Sequence, residues 1–101
     1  MELVERVRAL LPDAVEKRMF RGTAFMVDGA LAVSVNPRGL LVRVGRDAQA
    51  GLVEQPGVEA MTMRGRVSRG WVEVAATVVE DDAALREWVW RGKEAARSAR
   101  A

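Results

Sequence analysis

Two segments written in the same style constrain this chain most. Lys17-Arg18-Met19-Phe20-Arg21-Gly22-Thr23-Ala24-Phe25-Met26-Val27-Asp28-Gly29 carries a basic, glycine-punctuated turn into an apolar strand, and Gly65 to Val74 does the same. Short apolar runs bounded by Gly, Pro, Asn and Asp read as strands joined by turns. Neither segment offers a nucleophile, a metal-ligand set or a phosphate loop, so both speak for architecture rather than for a reaction.

The strands can be laid out from their punctuation. Val15 to Phe20 leads into a turn at Arg21-Gly22, and Thr23 to Val27 is extended. Asp28-Gly29 is the strongest short hairpin signal in the chain, because both turn residues must accept positive φ. Ala30 to Val35 follows, then a turn at Asn36-Pro37-Arg38-Gly39, then Leu40 to Val44. This block reads as a three-stranded antiparallel meander. Val58 to Arg64 and Trp71 to Ala75 read as two further strands, with Gly65 to Gly70 as their connecting turn.

Helices frame these strands. Leu3, Val4, Val7, Leu10 and Leu11 share one face of a 3.6-residue helix over residues 2–11, and Pro12 stops it. Asp47 is placed to cap a short helix from Ala48 to about Glu54, ended by Pro56-Gly57. Gly51 costs that helix about 1 kcal/mol relative to alanine. The last helix has Glu80-Asp81-Asp82 at its start and Arg91, Lys93, Arg97 and Arg100 toward its end, the arrangement the helix dipole favours. Leu85, Trp88, Val89, Gly92, Ala95, Ala96 and Ala99 fall on one side, and the small ones let the helix lie close to a sheet. Ser98 to Ala101 is expected to fray. The order is α-β-β-β-α-β-β-α. It predicts one α+β domain over residues 1–101, two layers deep, with a mainly antiparallel five-stranded sheet packed against helices.

Composition narrows function by elimination. Histidine, cysteine and tyrosine are absent. That removes Ser-His and Cys-His nucleophile systems, disulfides, most zinc sites and a tyrosine acid. The chemistry left lies with carboxylates, two lysines, hydroxyls and 14 arginines. The expectation is a non-enzyme with no catalytic residue, metal or cofactor. No apolar run reaches the roughly 20 residues of a membrane span. Met1-Glu2-Leu3-Val4-Glu5 has no basic region of a secretion signal, so a cytoplasmic location is expected.

The motifs also resemble a known family. Lys17-Arg18-Met19-Phe20-x-Gly22, Ala24-Phe25-Met26-Val27-x-Gly29, Gly39-Leu40-x-Val42-Arg43-Val44, Pro56-Gly57, Gly65-Arg66, Gly70-Trp71-Val72 and Asp81-Asp82-Ala83-Ala84-Leu85-x-x-Trp88-Val89 are similar, in that order, to the TfoX N-terminal-domain family, named for a bacterial regulator of competence. The resemblance implies a two-layer α/β domain like the secretion chaperones, acting as a non-catalytic regulatory or protein-interaction module. Arg21 stands where the family usually has glycine.

Several side chains remain as candidates for binding. Arg18, Arg21, Arg64, Arg66 and Arg69 sit in glycine-containing turns. Arginine beside such a glycine is ordinarily solvated. If turns from both halves of the sheet met, these five would form one surface for phosphate, nucleic acid or an acidic partner. That leaves nucleic-acid binding as the alternative to a protein-interaction module. Arg43, in mid-strand, is expected to pair with Glu73 or another carboxylate across the sheet. Trp71, Trp88, Phe20 and Phe25 are expected in the core, and Met19, Met26, Met61 and Met63 as core filler. Trp90 lies about 160° from the middle of the last helix's apolar stripe at roughly 100° per residue. It is the candidate for self-association. With the edges an open sheet leaves unpaired, it points to a homodimer.

Overall fold

Three helices lie against one face of a six-stranded antiparallel sheet in the computed structural model, which describes residues 1–19 and 21–100. The elements are α1 (Leu3–Leu10), β1 (Val15–Met19), β2 (Gly22–Val27), β3 (Ala30–Asn36), β4 (Gly39–Arg43), α2 (Arg46–Leu52), β5 (Val58–Met63), β6 (Arg66–Ala75) and α3 (Asp82–Arg100). The strands lie in the order β1-β2-β3-β4-β6-β5. The sixth strand is β1. The segment read as a lead-in pairs along its full length with β2, from Val15 opposite Met26 to Met19 opposite Gly22. The polar run Glu16-Lys17-Arg18 hides it from an apolar pattern, as suits an exposed edge strand.

The core lies between sheet and helices. Phe25, Val33, Leu40, Val42, Val72 and Val74 point from the strands toward Val7 of α1 and Leu11 at its C-cap, Leu52 of α2, and Leu85, Trp88 and Val89 of α3. Strand side chains alternate between faces. Lys17, Ala24, Ser34, Leu41, Glu73 and Glu59 therefore form one cross-strand row on the opposite face, as the pairing registers require. Met19, Met26, Met61 and Met63 are absent from the core cluster, and Met63 is 48% exposed. Their apolar character misled because they alternate out of phase with Phe25 and the valines. Phe20 lies outside the described residues.

Ion pairs pin the helices at their ends. Arg6 of α1 donates to Asp82 Oδ1 at 2.6 Å and to the Glu80 carbonyl at 3.3 Å. Arg8 donates to both carboxylate oxygens of Glu16 at 2.6 and 2.9 Å, tying α1 to the β1 edge. The acidic start of α3 acts as a cap, with Asp81 Oδ2 accepting the Ala84 N–H at 2.9 Å.

One turn is as tight as the sequence suggested and another is tighter. Asp28 (φ 51°) and Gly29 (φ 83°) form the expected hairpin turn, and Arg64 (φ 52°) and Gly65 (φ 80°) form another of the same kind. Residues 66–70 are consequently part of β6 and not a loop. The extra length is absorbed as a bulge. Val67 pairs with Thr62 and Val72 with Ala60, so Ser68 to Trp71 stand against Met61 alone. α2 also starts earlier than expected, at Arg46, with Gly45 as its N-cap, so Asp47 lies inside the first turn.

Candidate interaction groove

The β6 bulge shapes one wall of a depression between α2 and α3. Gly70 adopts φ 90°, a conformation that L residues other than glycine rarely hold. Its carbonyl accepts from Val44 N at 2.7 Å and Gly45 N at 3.1 Å, drawing the start of α2 onto the strand. A Cβ on Gly70 would meet the Arg46 nitrogen at 3.3 Å. Gln49, buried in α2, completes the joint. Its side-chain amide donates to the Ser68 carbonyl at 2.8 Å and the Trp71 carbonyl at 2.7 Å. Two carbonyls that the bulge takes out of the strand ladder are satisfied by one side chain.

Between this joint and the C-terminal half of α3 lies a groove of about 570 Å³. That volume falls within the range of ligand-sized clefts. Arg43, Arg46, Arg69 and Arg91 line it with Trp71 and Trp90, and Asp47 and Glu94 stand among them. Arg43 does not pair with Glu73. Its Nε donates to the Leu31 carbonyl at 2.7 Å, and its guanidinium lies 4.4 Å from the centre of the Trp71 ring. Burial pushes the Arg43 pKa below its ordinary value, but arginine stays charged throughout the physiological range. Glu73 lies instead 3.9 Å from Arg38. Arg91 is held by Glu87 at 3.3 Å and by the Trp88 ring at 5.6 Å. Among the described residues Arg46 and Arg69 make no ion pair.

The five arginines of the sequence reading do not share one surface. Strand direction alternates across the sheet, so the β1–β2 turn and the β5–β6 turn lie at opposite ends. They also lie at opposite edges, four strand spacings or about 19 Å apart from hairpin midline to hairpin midline. Arg18 and Arg21 therefore stand alone at one corner, and Arg64, Arg66 and Arg69 share the β5–β6 hairpin. Arg69 lines the groove, and Arg66 precedes it by about 10 Å along β6. Trp90, 59% exposed, lines the same groove, which joins two candidates that the sequence kept apart.

Trp71 was expected in the core and faces the other way. The signal was present in Gly70-Trp71-Val72-Glu73-Val74. Val72 and Val74 point inward, so Trp71 shares the outward face with the charged Glu73. Nothing in the sequence marks Gln49. Among the described residues no group of three or more acidic side chains is placed to hold a metal ion.

A family model described as the TfoX N-terminal domain matches residues 5–96. The chain belongs to the TfoX N-terminal domain family. The match spans every strand and most of α1 and α3, and it takes in the residues that line the groove apart from Ser98 and Ala99. Neither the curated proteins nor the solved structures compared with the chain contain a match. No helix among the described residues is long and apolar enough to cross a membrane.

Proposed function

We propose that this TfoX N-terminal domain is a non-catalytic regulatory module that captures an acidic segment of a partner protein in the groove between α2, α3 and the β6 bulge. The supporting observation is a groove lining that includes four arginines and two tryptophans, with Arg46 and Arg69 making no ion pair among the described residues. Guanidinium forks match carboxylates bidentately. An exposed tryptophan beside them supplies the apolar anchor typical of interface hot spots. Asp47 and Glu94 in the same lining favour a segment of mixed side chains over an unbroken run of phosphates.

A second reading, single-stranded nucleic acid, draws on Arg64 and Arg66. They extend the basic lining from Arg69 to the hairpin tip, and a basic track with aromatic platforms is the usual equipment for single strands. Fluorescence anisotropy of a labelled Asp/Glu-rich peptide and of labelled single-stranded DNA and RNA, at about 50 and about 200 mM salt, separates the two. The proposal expects salt-sensitive peptide binding that the Arg46→Ala/Arg69→Ala and Trp90→Ala variants lose and Arg18→Ala/Arg21→Ala keeps. Tight oligonucleotide binding lost in Arg64→Ala/Arg66→Ala, with weak peptide binding, moves the second reading ahead. No binding of any probe at the lower salt overturns both.

A further inference from the structure

We infer that the outer edge of β5 is a self-pairing surface, where a second copy of this chain adds its own β5 antiparallel to form one continuous twelve-stranded sheet. The sheet has two free edges, β1 and β5, and they are built differently. β1 reads Val15-Glu16-Lys17-Arg18-Met19, with adjacent cations and a carboxylate committed to Arg8. Charges of this kind, lysine above all, are how proteins protect an edge from pairing. β5 reads Val58-Glu59-Ala60-Met61-Thr62-Met63 and has neither lysine nor proline. Its pairing irregularity is taken up by the four residues of β6 that face Met61, leaving β5 itself an unbulged template.

The charges on this edge are self-complementary. Glu59 sits near one end of β5 and Arg64 just past the other, both exposed. Antiparallel pairing about a two-fold axis near Met61 and Thr62 brings Glu59 of each copy toward the arginine turn of the other. Glu59 also has a reason to seek a cation. It lies directly opposite Glu73 across the β5–β6 pair, a like-charge placement that costs stability. Met61 and Met63 line one shallow apolar depression with Leu31, Leu41 and Trp71 on the helix-free face. Pairing through β5 sets these depressions side by side and covers the exposed part of Met63. The inference does not rest on the groove, although Trp71 lines both depressions.

The test is mass by light scattering across about 10–200 µM, with circular dichroism to confirm folding. The expected mass is twice 11.1 kDa. Glu59→Arg and Arg64→Glu, each alone, are expected to weaken the dimer at least tenfold, as is Met63→Lys. An equimolar mixture of Glu59→Arg and Arg64→Glu is expected to restore it. Each two-fold contact in the mixed dimer then joins opposite charges, whereas each variant paired with itself joins like charges. A wild-type monomer over the whole range overturns the inference. So does a dimer that none of the variants disturbs, or a mixture that does not recover.

Discussion

The same substitution, glycine to alanine, should have opposite effects in α2 and α3. Gly92 lies where α3 crosses β3, at the residues where β3 departs from regular pairing with β2. An alanine Cβ there would sit 2.6 Å from Val33 Cγ1, 2.7 Å from the Ala32 carbonyl oxygen and 3.2 Å from its carbon. The valine methyl can turn aside, but the carbonyl belongs to sheet backbone and cannot. The helix must lift, loosening Leu85, Trp88, Val89 and Ala96 behind it. Overpacking of this kind costs about 1–3 kcal/mol, and a lifted helix belongs at the upper end. Alanine returns about 1 kcal/mol in helix propensity. The net expectation for Gly92→Ala is a loss of about 1–2 kcal/mol, or about 4–8 °C per kcal/mol in Tm for a domain of this size. Gly51, exposed within α2, has nothing within 4 Å of its would-be Cβ. Gly51→Ala should therefore gain about 0.5–1 kcal/mol. Urea melts followed by circular dichroism measure both, and the two midpoints should move apart. A Gly92→Ala protein as stable as the parent would refute close helix–sheet contact at this crossing.

The other expectations concern single polar side chains. Gln49→Leu leaves the Ser68 and Trp71 carbonyls without their donor and should cost about 1–3 kcal/mol, with faster amide exchange confined to α2 and the β6 bulge. Ser34→Ala should be neutral or stabilising in the same melts, because the Ser34 hydroxyl is buried with no hydrogen-bond partner among the described residues; a large loss would refute that reading. Arg43→Met removes the bond to the Leu31 carbonyl and the stack on Trp71; it should cost about 1–2 kcal/mol and shift tryptophan emission. The Arg8 hydrogen bonds hold the Glu16 carboxyl below the usual carboxylate range. The unfolded chain then binds the proton first as pH falls, so the pair's contribution is whole above the ordinary carboxylate pKa. It fades as pH drops through the lower folded value. Glu16→Gln should flatten the acid limb of the stability curve, and an unchanged limb would rule the pair out.

The parts of this domain that one element determines were legible, and the parts that two elements share were not. Asp28-Gly29 names its own turn, because positive φ at adjacent positions is a demand on those two residues alone. The small residues of α3 foretold close approach for the same reason, and Gly92 is where the approach occurs. Val15 to Phe20 reads as strand-like but falls outside the five-strand count, because an edge strand covered by charge has no apolar period to read. The groove is the harder case. Its arginines come from β4, α2, β6 and α3, and only the pairing order decides that Arg69 and Trp90 line one groove while Arg18 and Arg21 lie at the opposite corner of the sheet. Arg43 shows how little separates the two outcomes. It lies opposite Trp71 in the β4–β6 register, two residues along the strand from the expected Glu73. Two residues is one full period of a strand, so both partners lie on the same face. The choice fell to the residue directly across, whose ring takes the guanidinium while the Leu31 carbonyl of β3 accepts from Arg43 Nε.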